Sequence, residues 1–320
     1  MKSTQPECLS SGWKLVESRW RSNRAVCVDP QRVEWERLGK AQDFLKPCLH
    51  CEMGGASLNL DLRGIIFDID GVVWRDHQLL PGAQALFSHL REMNIPYVFA
   101  TNNSSALPET LCEIGRSIDF EILPEQVVTS ALAAVSLLQE QFAPGAKILM
   151  IGERGLQVPL EQAGFRLTTE ADQAQAVVVG YDRQVTWKQL AEAAYAIARG
   201  IPFIGTNIDA SFPTPRGLAP GNGAILAALE TTTGIAPTTV GKPNSFIFKA
   251  AFKKLDTHPK NTLVVGDRLE TDIAGGNNAG SPTALMLTGV TQKHDLEDST
   301  IKPTYVFDDL SHLHRNLLEG

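Results

Sequence analysis

The stretch that most constrains this chain is 62–74, LRGIIFDIDGVVW. Leu62, Ile65, Ile66 and Phe67 make a short apolar run, the pattern of a strand buried on both faces of a parallel sheet. The run ends in Asp68-Ile69-Asp70-Gly71. If the strand extends through this segment, period-two alternation points Asp68 and Asp70 to the same side. Two carboxylates at a strand end are poor core material, and the glycine after them lets the backbone turn sharply. The pair suits a divalent cation and acid–base chemistry.

From Leu62 onward, short apolar runs alternate with amphipathic ones. Strands are expected at 65–69, 97–100, 127–129, 148–151, 177–179, 203–205, 262–265, 284–287 and 305–307. Helices are expected at 83–93, 131–141, 187–198, 223–232 and 246–255. Such alternation predicts an α/β fold with a doubly wound parallel sheet covered by helices on both faces. The strands outnumber what one modest sheet holds, and 320 residues suffice for two domains with separate cores. Pro144-Gly145 and Ala236-Pro237 are the expected crossing points. Residues 57–143 and 237–320 then form a core, and 144–236 an inserted α/β unit.

Residues 1–56 read differently, with three of the five tryptophans, four of the five cysteines and no strand pattern. Cys48-Leu49-His50-Cys51 has metal-site spacing but lacks a second pair, so it defines neither a zinc site nor a redox pair. An amphipathic helix fits 32–44, Met53 is an alternative start, and no function is assigned to this extension. It lacks the apolar core of a secretory signal, and the chain has no apolar run long enough for a spanning helix. An odd number of cysteines in a large chain points to free thiols and a cytoplasmic location. A net charge of −7 gives no nucleic-acid surface, so neither nucleic acid nor membrane is an expected partner.

In open α/β sheets, ligands collect at the carboxyl ends of the strands. Four polar clusters stand at such ends. Asp68 and Asp70 are the first, and Thr101-Asn102-Asn103-Ser104-Ser105 after 97–100 is the second. A hydroxyl and amides at a strand-to-helix turn either cradle a phosphate or cap the next helix. The third is Gly241-Lys242-Pro243, where a stiff turn aims an ammonium. The fourth is GDRLETD, with Asp267 and Asp272 after the run 262–265. Asp272 also suits a helix cap and Asp267 a turn. Together with Asp68 and Asp70 they make the hard, oxygen-rich site that magnesium favours.

The combination DIDGVVW, LLPGA, TNNSS, VVVGYD, TNIDASFPTP, GLAPGNGA, GKPNSFIF and VVGDRLETDIAGGNNAG resembles the haloacid dehalogenase superfamily of phosphohydrolases, and within it the NagD and p-nitrophenylphosphatase-like branch. The resemblance runs from 62 to about 290 and does not reach the first 56 residues. It implies a Rossmannoid core with an α/β cap, at 144–236, that selects the substrate.

The resemblance implies a magnesium-dependent phosphatase acting on small phosphate monoesters, such as sugar phosphates, nucleoside monophosphates, phosphoglycolate or p-nitrophenyl phosphate. Asp68 is the implied nucleophile, forming an aspartyl-phosphate, and Asp70 the general acid and base. Thr101, the Asn102 amide and Lys242 hold the phosphoryl oxygens, and Lys242 restrains Asp68. Mg²⁺ is held by Asp68, the Asp70 carbonyl and Asp267, with Asp272 behind them. In the Pro- and Gly-rich loop 207–222, which reads as too polar for a strand, Asp209 and Arg216 are candidates for substrate selection. The expected partner is a small phosphorylated metabolite, and relatives of this kind form homodimers through the cap. The seven histidines show no ligand spacing and are read as non-catalytic; without a Rossmann glycine fingerprint or P-loop, no nucleotide cofactor is expected. Two other readings use the same residues: a binding or regulatory protein on this scaffold, and phosphoryl transfer to an acceptor other than water.

Overall fold

The computed structural model of the protein describes residues 61–214 and 216–318. The helix expected at 32–44, the Cys48/Cys51 pair and the alternative start at Met53 lie outside the described residues. The described part begins with β1 (Gly64–Phe67), the ribbon β2 (Trp74–Arg75) and β3 (Gln78–Leu79), then α1 (Ala83–Glu92), β4 (Tyr97–Thr101), α2 (Pro108–Ser117), β5 (Val127–Thr129) and α3 (Ser130–Gln141). There follow β6 (Lys147–Ile151), α4 (Arg154–Gln162), β7 (Arg166–Thr168), β8 (Ala176–Val179), α5 (Trp187–Ala198), β9 (Phe203–Gly205), β10 (Ser211–Thr214), β11 (Gly217–Pro220), α6 (Asn222–Thr233) and β12 (Thr238–Thr239). The last part holds α7 (Ser245–Leu255), β13 (Thr262–Gly266), α8 (Ala274–Ala279), β14 (Thr283–Met286), α9 (Asp295–Asp298), β15 (Tyr305–Phe307) and α10 (Leu310–Leu318).

Six strands form one sheet in the order β15-β14-β13-β1-β4-β5, and five form a second in the order β12-β9-β8-β6-β7. Every pairing in both sheets is parallel. This is the doubly wound α/β architecture that the sequence pattern predicts. All four residues of β1 are buried. Ile65 and Phe67 join one apolar layer with Tyr97, Phe99, Leu263 and Val265, while Ile66 joins the opposite layer with Val98, Ala100 and Val264. A continuous apolar run is therefore what a central strand needs, because both faces are covered. In the first layer Phe87 of α1 centres an aromatic cluster, with ring centroids 4.8 Å from Phe67 and 5.0 Å from both Tyr97 and Phe120.

The second layer is continuous between the two sheets. It holds Ile66, Ala134 and Leu138 on the side of the first sheet, and Ile148, Leu156, Leu160, Val178 and Ile204 on the side of the second. The two separate cores expected from length alone are thus joined on this face. The second sheet also runs past residue 236, since β12 pairs with β9.

The structure corrects the reading of 207–222 as a plain loop: β10 and β11 pair antiparallel from Ser211↔Pro220 to Thr214↔Gly217. An exposed two-stranded ribbon rests on backbone pairing and needs no apolar alternation, so its polar sequence hides it. α4 holds Pro159 inside it, a residue that argues against helix. β7 is a short edge strand with no fully buried residue. Among the described residues no helix is long and apolar enough to cross a membrane.

Candidate active site

β1 lies between β13 and β4, and the chain winds away from it in both directions, to β5 on one side and β15 on the other. At such a reversal the loops at the strand ends diverge and leave a crevice. A cavity of about 580 Å³ opens there, and Asp68, Asp70, Thr101, Asn102, Lys242, Asp267 and Asp272 all line it. Of the residues singled out in the sequence, Asp209 lines it too. Arg216 does not: it sits exposed at the turn between β10 and β11, where its N–H donates to Thr214 Oγ1.

Asp68 continues the pairing of β1 by one residue, its N–H donating to the Val265 carbonyl at 2.8 Å. The chain then leaves the strand. Val72 and Val73 donate to the Ile69 carbonyl at 3.2 and 2.8 Å, closing a tight turn. Gly71 takes φ +86°, and a Cβ there would stand 2.6 Å from Asp267 Oδ2, so conformation and space both demand glycine. Strand alternation therefore does not carry Asp70 into the cavity that Asp68 lines; the turn does. Asp70 is reached from the cavity and accepts a hydrogen bond from Trp74 Nε1 at 3.1 Å. The surrounding protein desolvates the Asp70 carboxyl and raises its pKa, while the Trp74 donor pulls it down.

The fourth cluster is shaped by a five-residue π-helical turn, Leu269–Ile273, directly after Arg268. It folds Asp272 back so that Oδ2 accepts from the Arg268 N–H at 3.1 Å and Oδ1 accepts from Lys242 Nζ at 2.6 Å. Asp272 is thus tied to the loop backbone and to Lys242. Asp267 Oδ2 accepts from the Val290 N–H at 2.7 Å, while the buried Oδ1 has no hydrogen-bond partner among the described residues. Lys242 reaches across the sheet end and donates to Asp68 Oδ1 at 2.5 Å, Asp272 Oδ1 at 2.6 Å and the Ala100 carbonyl at 3.0 Å. All three ammonium hydrogens are occupied.

Three carboxylates meet here. Asp68, Asp267 and Asp272 each offer an oxygen, and these oxygens lie within 4.8 Å of one another. Burial drives the Asp68 pKa well above the ordinary value, opposed by the Lys242 ammonium and reinforced by Asp272 and Asp267. Asp267 is pushed up to about 6, by burial first and Asp272 second. For Lys242, burial works against the charge, yet Asp272 and Asp68 outweigh it and hold the ammonium protonated. One lysine against three crowded acids, together with a buried carboxylate oxygen lacking a donor, is a set that a divalent cation completes. An all-oxygen donor set fits magnesium.

The second cluster is not a cap for the helix that follows. α2 begins at Pro108 with Leu107 before it and no side-chain cap. Asn103 Oδ1 instead accepts from the Ser105 and Ala106 N–H groups at 2.9 and 3.0 Å, and Thr101 Oγ1 accepts from the Asn103 N–H at 3.1 Å. The Thr101 hydroxyl keeps its own hydrogen to donate into the cavity. Two contributors carry no sequence-derived role. Trp74 lies inside the motif that names Asp70, four residues on, but its contact with Asp70 exists only because the chain turns. The Asn102 side chain, rather than its amide alone, bonds both Lys242 and Asp209. Tyr181, Arg183, Asn207, Ser211 and Asn222 line the cavity from the side of the second sheet.

A family model of haloacid dehalogenase-like hydrolases matches residues 65–166, and a HAD-hydrolase-like model matches 239–313. The chain is 37% identical over 249 residues to an acid sugar phosphatase of Staphylococcus aureus, covering 78% of this chain and 95% of that protein. Among solved structures it is similar to a thermostable NPPase of Geobacillus stearothermophilus, at 37% identity and a TM-score of 0.73, covering 79% and 98% of the two chains. It is also similar to a glycerol phosphate phosphatase of Mycobacterium tuberculosis in complex with magnesium, at 38% identity and a TM-score of 0.74, covering 80% and 76%. With this fold, these motifs and such relatives across most of its length, the chain belongs to the haloacid dehalogenase-like hydrolases.

Proposed function

We propose that the protein is a magnesium-dependent phosphatase that hydrolyses small phosphate monoesters through an aspartyl-phosphate on Asp68. The observation that carries this reading is the convergence of Asp68, Asp267, Asp272 and Lys242 at one strand-end cavity that Asp70 also lines. The relatives support it: they are phosphatases by name, of sugar phosphate, glycerol phosphate and NPPase type. The chain is a hydrolase acting on phosphate monoesters.

Asp68, anchored by its backbone bond to β13 and by Lys242, attacks phosphorus. The Thr101 hydroxyl donates to the phosphoryl oxygens, and Lys242 stabilises the charge that develops on them. Asp70, whose pKa desolvation by the surrounding protein raises, gives its proton to the departing alkoxide. As a carboxylate it then takes a proton from the water that attacks the phosphorus of the aspartyl-phosphate, which frees Asp68 and inorganic phosphate. Magnesium, when held by Asp68, Asp267 and the Asp70 carbonyl with Asp272 behind them, offsets the repulsion between carboxylate and phosphate. The cavity-lining residues of the second sheet, Tyr181, Arg183, Asn207, Ser211 and Asn222, meet the part of the substrate beyond the phosphate, so the unit at 144–236 selects the metabolite.

The test is phosphate release from p-nitrophenyl phosphate, glycerol phosphate and a set of sugar phosphates, with Mg²⁺ and with a chelator. Turnover that chelation abolishes and Mg²⁺ restores is expected. Silence on the whole set, or turnover indifferent to chelation, overturns the reading.

A further inference from the structure

Asn102 is placed where a phosphate-binding loop is expected, yet its side chain is fully engaged with the protein. Its Oδ1 accepts from the Lys242 N–H at 2.8 Å, and its Nδ2 donates to the Lys242 carbonyl at 3.1 Å and to Asp209 Oδ2 at 3.4 Å. A carboxamide has two hydrogens on nitrogen, and both are used. It grips the N–H and the C=O of a single residue, as a neighbouring strand does, and so fixes the backbone from which the Lys242 side chain departs. Gly241 shows how close the fit is: a Cβ there would stand 2.6 Å from Asn102 Oδ1 and 2.5 Å from the Thr206 carbonyl.

Asp209 holds the other side of that carboxamide. It lies in the segment after β9, and its Oδ2 also accepts from Asn207 Nδ2. Asn207 is in turn fixed by Thr206 Oγ1, which donates to its Oδ1 at 3.0 Å, and by Asn222 Nδ2, which donates to its carbonyl at 2.8 Å. The Gly241 N–H donates to the Thr206 carbonyl at 2.8 Å, a second tie between this segment and the turn bearing Lys242.

We infer that Asn102 and Asp209 are a coupled pair of positioning residues: Asp209 orients the Asn102 carboxamide, which holds the Lys242 peptide and thereby sets where the ammonium stands between Asp68 and Asp272. This rests on the phosphatase reading and changes the role given to Asp209, which acts through Asn102 rather than by choosing among substrates. The second sheet thereby contributes to the placement of Lys242 as well as to the cavity wall.

The test is a double-mutant cycle on the full chain with Asn102→Asp, Asp209→Asn and both together. Asn102→Asp keeps an acceptor for the Lys242 N–H but loses both donors and sets two carboxylates side by side. Asp209→Asn in that background returns a donor to the contact. Small displacements of a positioned group cost up to about 10²-fold in rate, so kcat is expected to fall about tenfold for Asp209→Asn and about 10²-fold for Asn102→Asp. The double variant is expected to recover at least about tenfold over Asn102→Asp, the mark of residues in contact. KM is expected to stay within about twofold, with the same fold-loss in kcat for p-nitrophenyl phosphate and glycerol phosphate. Independent, multiplying effects overturn the inference, as does an Asp209→Asn change concentrated in KM and different between the substrates. Thermal unfolding of the same four proteins reads the contact without activity: coupling there with no wild-type turnover removes the phosphatase reading and keeps the contact, while absence of coupling in unfolding removes the inference itself.

Discussion

At the scale of single residues, the site divides its acids by environment. Asp68 is gripped by an ammonium, Asp267 keeps one oxygen without a donor among the described residues, and Asp70 is met by an indole N–H. Desolvation by the cavity walls raises the Asp70 pKa and the Trp74 hydrogen bond lowers it, so removing the donor moves it further up. If Asp70 is the acid, activity falls as pH rises through its pKa. Trp74→Phe is therefore predicted to move the alkaline limb of the kcat profile to higher pH; an unmoved or lowered limb contradicts this role. Asp68, Asp70, Thr101, Lys242, Asp267 and Asp272 were legible in the sequence because each stands in a short motif at a strand end. Trp74 and the Asn102 side chain were not, because their partners are set by a turn and by a loop 140 residues away.

At the scale of elements, the central strands were legible from their apolar runs, since a strand covered on both faces has no polar positions to confuse the pattern. The ribbon of β10 and β11 was not, because β11 is exposed along most of its length and shows no apolar alternation. The elements that carry the site are held by the aromatic cluster beneath β1. Phe87 of α1 is fully buried there, with its ring centroid 4.8 Å from that of Phe67 on β1. Phe87→Ala is predicted to cost about 3–5 kcal/mol in denaturant unfolding, through lost transfer energy and the cavity left behind. A loss below about 1 kcal/mol would show that the neighbouring rings collapse into the space.

At the scale of the whole molecule, the alternation of runs pointed to more strands than one sheet holds, and the structure has two parallel sheets, but no run showed that one apolar layer lies between them. That junction depends on which helix faces meet, a property of packing rather than of any local pattern. The crowded acids also reach this scale, through stability. Asp267 is held at about 6 against an ordinary 3.8, so between these values the folded chain keeps a proton that the unfolded chain has released. On account of this group, stability falls as pH rises through that window. A cation bound to the ionised cluster opposes the fall. The gain in Tm from Mg²⁺ is thus predicted to be small below 3.8 and to grow as pH passes 6; a gain independent of pH contradicts the assignment of the site. We propose Asp68 as the nucleophile of a metal-assisted phosphate hydrolysis. This role is decided by p-nitrophenyl phosphate turnover in Mg²⁺ by wild type and by Asp68→Asn, with folding of the variant verified by its thermal unfolding. A folded variant is expected to lose at least about 10³-fold in kcat, as when an attacking group is removed. A folded Asp68→Asn enzyme within about tenfold of wild type would contradict it.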